Sequence, residues 1–347
     1  MSGLFSPAKE ESVIVPDLAS QAQGKECQGI RATRAGVVVG LGLINPHIAE
    51  EYARHTSRAF VNAASVAALA DIADIAVVLV HADNLAAELY EYLYDGASTP
   101  APGIIFASSE AELALVSQRL AKSLLPLSKP EANRACVSIF REIDSENAPY
   151  DLVADRYSSF EETCGVLSSD VEFLTLEGHG NGLHLAAPGG TTLCPMSTRL
   201  KARSALKPYC LEKQCCTNLH HLPSLENAWT SNRLINVERV NARVVFYDSC
   251  FAFRVVDHVV SPGYSLACSL GERSNVLNII GSWQITLGDE QVDEFIAAGL
   301  EVGEEIGAVI SRFNRLDEKR RHGRRLALFG DPAYRSYTGQ ASQHVCQ

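Results

Sequence analysis

No run of apolar residues in this chain approaches the ~18 that a membrane-crossing helix needs, so no membrane contact is expected. The first ten residues, Met1-Ser-Gly-Leu-Phe-Ser-Pro-Ala-Lys-Glu10, lack the apolar core of a secretory leader. A cytoplasmic location is the expectation that follows. Basic charge is scarce. Lys and Arg number 30 against 41 Asp and Glu, a formal net charge of -11, and nucleic-acid binding calls for a basic face. The one basic cluster, Lys319-Arg320-Arg321-His322-Gly323-Arg324-Arg325, reads as a solvated helix end and loop. A dinucleotide fingerprint is missing too. Gly36, Gly40 and Gly42 lie in an apolar run but do not fit G-x-G-x-x-G at a strand-to-helix turn. No flavin or haem signature is present.

What remains is an ordinary globular composition, 46% hydrophobic and 20% charged, able to build a large core without disulfides. At 347 residues the chain is long enough for two domains or one large one. In a reducing compartment its ten cysteines are expected to be reduced, metal-bound or catalytic rather than paired.

Residues 1–30 are polar and without period, and read as a flexible or edge segment. From 31 to 150 apolar runs alternate with helical patterns. Strands are expected at 35–44, 59–63, 75–80, 103–107 and 135–140, with helices at 48–57, 64–72, 84–94 and 108–125. Such alternation predicts α/β architecture with a parallel sheet. Asp144-Ser-Glu-Asn-Ala-Pro149 reads as a linker, which places an N-terminal α/β domain or subdomain before it. A helix is expected over 156–162. In the second half, 289–313 carries Val292, Phe295, Ile296, Leu300, Ile306, Val309 and Ile310 at helical spacing, with Gly299, Gly303 and Gly307 as points where it breaks or tightens. A last strand is expected at 325–329, and 339–347 reads as a tail.

Two runs carry chemistry. Val171-Glu-Phe-Leu-Thr-Leu-Glu-Gly-His179-Gly180 is an apolar strand ending on a histidine between glycines. Arg243-Val-Val-Phe-Tyr-Asp-Ser-Cys250 is another, ending on a thiol. Ligands of open parallel sheets bind just beyond such ends, and a thiol with an imidazole is the pairing of nucleophilic catalysis. His184 and His258 are rival bases and Cys268 a rival nucleophile, but none ends an apolar strand. Asp248 reads as a turn residue. Between the two runs, at about 190–235, lies a Cys-rich insertion long enough to be functional. Cys210 and Cys215 have the spacing of a metal half-site. Cys194 with one of Cys216, His220 or His221 would complete four ligands, giving a structural zinc; the other reading is buried, incidental cysteines.

The order of parts resembles the caspase-like (clan CD) cysteine peptidases: caspases, legumain, separase, gingipains and bacterial CHAT-domain proteins. The resemblance rests on His179-Gly180, on Asp248-Ser249-Cys250, and on Leu328-Phe-Gly-Asp-Pro-Ala-Tyr-Arg335, which is similar to the closing strand and turn of the gingipain and CHAT branches. Ser265-Leu-Ala through Ile279-Ile-Gly-Ser-Trp283 is similar to those branches as well. The similarity covers roughly 151–338, taken as the peptidase domain. It implies a caspase-like three-layer fold with a mostly parallel central sheet. It implies Cys250 as nucleophile, His179 as acid and base, and the N–H groups of Gly180 and Cys250 as oxyanion donors. Trp283 would wall the substrate pocket or stack on the substrate backbone, its other reading being core or surface packing, and Glu177 and Asp289 would suit a basic substrate side chain. No cofactor would be required for catalysis. The partners implied are a polypeptide substrate and a regulatory protein at the N-terminal unit, in bacterial regulation or defence. Two other readings stand beside this one: a catalytically silent caspase-like scaffold, and a zinc-binding module built on residues 194–221.

Overall fold

Val37–Leu41 (β1), Ala59–Ala63 (β2), Ile75–His81 (β3) and Gly103–Ala107 (β4) are strands, rich in the β-branched and aromatic residues that suit a pleated, buried surface. The structure is a computed structural model that describes residues 36–94, 100–124, 133–144, 148–180, 182–195, 234–253, 265–285, 290–316 and 324–336. Helices His47–Thr56 (α1) and Ala87–Tyr94 (α2) lie between these strands, and Glu110–Ser123 (α3) follows them. At the start of α3 the Ser109 side chain accepts from the Glu112 N–H, and Glu110 and Glu112 complement the helix dipole. The Ala-rich stretch expected to be helical forms only a 3-10 turn, Val66–Asp71. Six residues offer too few hydrogen bonds to offset the cost of helix nucleation.

The second half contributes Arg134–Ser138 (β5), Leu152–Ala154 (β6), Phe160–Ser168 (α4), Val171–Glu177 (β7), Leu185–Ala187 (β8), Thr191–Cys194 (β9) and Leu234–Asn236 (β10). Ala242–Asp248 (β11), Leu266–Arg273 (α5), Asn278–Gly281 (β12), Glu290–Glu301 (α6), Ile306–Asn314 (α7) and Ala327–Phe329 (β13) complete it. A capping box of Ser159 and Glu162 starts α4 later than the expected position 156. The long helical pattern of 289–313 is two helices. Gly303, at φ +77°, ends the first in the left-handed conformation that favours glycine.

Ten strands form one sheet in the order β2-β1-β3-β4-β13-β12-β11-β7-β5-β6. Only the β12–β13 pairing within it is antiparallel. β4, β7 and β12 are buried along their whole length, so both faces are covered, as parallel sheets require. On the helix side, α1 packs on α3 and α3 on α5, while α6 packs on α7. The expected α/β architecture with a large, mostly parallel central sheet is therefore present. A small second sheet, β10-β9-β8, follows β7.

The boundary expected near residue 150 does not divide the molecule. β5 precedes it, yet β5 is paired with β6 and β7, both of which follow it. The described residues all belong to one compact unit. The polar, Pro-containing stretch at 144–149 falls in sequence between β5 and β6, which are adjacent strands of the same sheet.

The last strand binds the halves together. β13 lies between β4 and β12, and Gly330 follows it at φ +127°, where a side chain would collide with Asn278. That glycine turns the chain so that Asp331 is buried against Arg58. The guanidinium grips the carboxylate with two bonds, 2.5 Å to Oδ2 and 2.8 Å to Oδ1. Tyr52 donates to the same carboxylate at 2.5 Å, and the Ala333 N–H at 2.8 Å. Both charged side chains are 1% exposed. The Gly-Asp-Pro turn is thus a cross-sheet ion pair as well as a turn.

Burial alone would raise the Asp331 pKa, but hydrogen bonds and charge from Arg58, with Tyr52, hold it below the usual carboxylate value. Its folded value lies below its unfolded one. The stabilisation is therefore complete above about pH 4, the unfolded aspartate value, and is lost as pH falls through the folded value. Asp331→Ala should cost about 3–5 kcal/mol by stranding Arg58, and Arg58→Met/Asp331→Leu should recover most of that loss. Urea titrations of the three proteins check this. Below about pH 4 the wild type should lose stability more steeply than the double variant. Equal acid slopes would contradict the assignment.

Candidate active site

β7 and β11 are parallel neighbours in register. Val171 is opposite Ala242, Phe173 opposite Val244, and Glu177 opposite Asp248. His179 and Cys250 each lie two residues past that last pair, so the two strands deliver both to one edge of the sheet. The Gly178 N–H donates to the Asp248 carbonyl at 3.2 Å, which carries the pairing one step further.

Gly180 closes the gap between the two strand ends. A methyl group there would run into Ser249 Oγ and come within 2.8 Å of the His184 carbonyl. The close approach is made to this chain's own backbone and to the residue before Cys250. Gly180 forms an isolated antiparallel bridge with Leu185. A bond from the Ala186 N–H to the His179 carbonyl, 2.9 Å long, supports that bridge. The Gly180 N–H itself donates to no carbonyl among the described residues. The Gly182 carbonyl accepts from Leu266 N–H at 2.7 Å, which ties this loop to the start of α5.

The His179 ring is exposed and stands edge-on to Phe140, with centroids 4.7 Å apart and planes at 88°, a favoured aromatic arrangement. Phe140 is held from below. Ser138 Oγ accepts from the N–H groups of Phe140 and Arg141, each at 3.1 Å, and donates to Glu177 at 2.7 Å. Register makes this possible, because Ser138 lies opposite Glu177. Arg141 Nε donates to Glu177 at 2.6 Å, and its Nη1 lies 3.3 Å from Asp293. Tyr150 accepts from Arg141 at 3.0 Å and donates to Asp293. Burial tends to lower the Arg141 pKa, but the charges of Asp293 and Glu177 raise it further. Burial pushes the Tyr150 hydroxyl and the Cys136 thiol up, with the neighbouring carboxylates adding to it.

On the other strand, Cys250 is half-buried. Phe251 follows at φ +52°, an uncommon conformation for a bulky residue. The Phe251 N–H donates to the Gln284 carbonyl at 3.1 Å, and the Phe253 N–H to the Ser282 carbonyl at 3.0 Å. Asp248 is paired with Arg324 at 3.0 Å, both side chains nearly inaccessible.

Several expectations change. Glu177 is 3% exposed and neutralised by Arg141, so it offers no free charge to a basic substrate. Trp283 is also 3% exposed. Pairing of 251–253 with 282–284 turns it inward, where it stacks on Tyr90 at 5.4 Å and lies 5.8 Å from Tyr94. It is a core residue and not a pocket wall. Arg324 belongs to the cluster expected to be solvated, yet it is buried against Asp248, which does more than hydrogen-bond a turn. His184 is 1% exposed. Cys268 is fully buried, and burial, then Glu272, pushes its thiol well up, the opposite of what a nucleophile needs. Cys194 is buried at the end of β9. Asp289, His258, Cys210, Cys215, Cys216, His220 and His221 lie outside the described residues. Among those described, no three His, Cys, Asp or Glu side chains are grouped to hold a metal, and no helix is long and apolar enough to cross a membrane.

Sequence reasoning missed Ser138, Phe140 and Arg141. The Ser-Ile-Phe-Arg run after an apolar strand was visible, but its partner strand was not. A cleft of about 610 Å³ lined by Gly36, Arg58, Asp74, Tyr92 and Glu305, among others, shares no lining residue with the His179–Cys250 edge.

No family model and no curated protein matches the chain. Solved structures of similar shape include the Arg-specific cysteine proteinase gingipain R (RGPB). It is 10% identical with a TM-score of 0.49, covering 88% of this chain and 78% of that one. The complex of Porphyromonas gingivalis RgpB pro- and mature domains is 11% identical with a TM-score of 0.49, covering 86% and 79%. Similarity at this level does not define a family.

The apposition of the two strand ends has a direct test that needs no activity. Gly180→Ala should cost about 1–3 kcal/mol through the forced contact with Ser249 and His184. Ser249→Gly in the same chain should restore part of it. Thermal or urea unfolding reads both, and a Gly180→Ala protein as stable as wild type would mean the two ends do not meet.

Proposed function

We propose that this chain is a caspase-like cysteine peptidase that uses Cys250 and His179. The observation that carries this reading is the register of β7 on β11, with the histidine and the thiol each two residues past the Glu177–Asp248 pair.

On this reading Cys250 passes its thiol proton to His179 as Sγ attacks the carbonyl carbon of a peptide bond, and the carbonyl oxygen becomes an oxyanion; the proton that His179 later takes from water restores the thiol. The N–H groups of Gly180 and Cys250 would be its donors, and the Gly180 N–H has no carbonyl partner among the described residues. Preorganised donors of this kind supply a large share of the rate. His179 protonates the departing amine, leaving an acyl-thioester on Cys250. It then takes a proton from water, which attacks the thioester and releases the acid. Phe140, packed edge-on to His179, limits the rotation of the imidazole. The ion pairs Arg141–Glu177 and Arg324–Asp248 neutralise the carboxylates at both strand ends. No cofactor takes part in these steps. A zinc bound by Cys194, Cys210, Cys215 and Cys216 would be structural.

A peptidyl acyloxymethyl ketone, followed by peptide mapping, tests the proposal. Labelling should fall on Cys250, vanish in Cys250→Ala, and slow by about 10²–10⁴-fold in His179→Ala. Labelling confined to other cysteines in the full-length chain would leave the silent-scaffold reading in its place.

A further inference from the structure

We infer that this edge selects substrates by an apolar side chain close to the scissile bond, received by a rim of Phe140, Phe251 and Ile285. The inference rests on the cysteine-peptidase reading of the same edge.

Eight large apolar side chains are exposed among the described residues. Scattered apolar residues on a surface need no explanation, but clustered ones do. Three of the eight gather here. Phe140 is 43% exposed while touching the His179 ring. Phe251 is 38% exposed and directly follows Cys250. Ile285 is 70% exposed and follows Gln284, whose carbonyl holds the Phe251 N–H at 3.1 Å. One ring therefore adjoins the imidazole, one adjoins the thiol, and the isoleucine is tied to the second ring through the backbone.

The conformation of Phe251 adds an independent argument. A bulky residue at φ +52° is uncommon, and such strain gathers where a site requires a particular geometry. Glycine or asparagine would occupy that position with less strain. A phenyl ring there serves no core, since it is partly in water. It presents apolar surface beside the thiol.

Charge selection finds no support at the same place. The carboxylates at the ends of β7 and β11 are both committed, Glu177 to Arg141 at 2.6 Å and Asp248 to Arg324 at 3.0 Å. A lysine or arginine side chain of a substrate would meet neither as a free anion. An aliphatic or aromatic side chain would remove rim and ligand surface from water together, which favours it without a charged partner.

The test is a set of four-residue acyloxymethyl ketones, alanine throughout except one position, which carries Leu, Arg or Asp in turn. Labelling rates are read at Cys250 by peptide mapping for wild type, Ile285→Lys and Phe251→Asn. Asparagine tolerates positive φ, so the second variant removes the ring without adding strain. At one position or more, Leu should label about tenfold faster than Arg and Asp, the scale of discrimination by a small apolar pocket. Each variant should shrink that ratio. Labelling of Cys250 with no preference for Leu at any position, or with a preference the variants leave intact, overturns the inference and leaves the peptidase reading standing. If no compound labels Cys250, both fall.

Discussion

The parallel pairing of β7 with β11 is the constraint on which the rest depends. A parallel pair has one register that puts a given residue beside another, and a slip of one position sends every side chain to the opposite face. Here a slip is opposed on several grounds. Both strands are buried on both faces over most of their length, so a shifted register would set side chains of the wrong size into packed positions. Glu177 has to meet Ser138 and Arg141, and Asp248 has to meet Arg324. Beyond the ladder, Gly180 fits against Ser249 only because it lacks a side chain. The positions of His179 and Cys250 therefore follow from the packing and charge beneath them.

The two runs that matter most were readable from composition alone. A short apolar stretch rich in β-branched and aromatic residues reads as a buried strand, and a histidine or thiol just past its end marks a sheet edge. That β7 and β11 would be adjacent was not readable, because periodicity reports that a residue is buried without reporting against what. The same limit explains the other misses. β6, β8, β9 and β10 have three or four residues each, too few for a pattern to rise above a loop. Glu177 looked like a pocket charge because Arg141 lies 36 residues earlier. Trp283 looked like a pocket wall because the return of 282–284 against 251–253 leaves no trace in composition. The stretch at 144–149 carried every sign of a linker, and those signs are shared by connections between neighbouring strands.

Neutralisation beneath the site also bears on what the edge can recognise. Two carboxylates lie at the ends of the site's strands, and each has a buried arginine. Breaking either pair would strand a charge in the interior, so neither acid is available for exchange with a ligand. The acidic character of the whole chain, a formal -11, is therefore a poor guide to this edge. Net charge describes solubility and long-range fields. At this edge Phe140 and Phe251 are partly exposed, beside His179 and after Cys250 in turn.

Both buried arginine pairs that flank β13 reach across the molecule. Arg324, just before the strand, meets Asp248 at the end of β11. Asp331, just after it, meets Arg58 on the loop before β2, 273 residues away in sequence. Three residues of strand thus connect the site's edge to the first α/β layer, between β12 and β4. Contacts this distant in sequence carry the entropic cost of closing a long loop. Until β13 is in place, β4 and β12 each have an open edge, Arg58 has no counterion, and the floor under Cys250 is missing its cation. The candidate site is thus completed by a strand that follows both of its own strands in sequence.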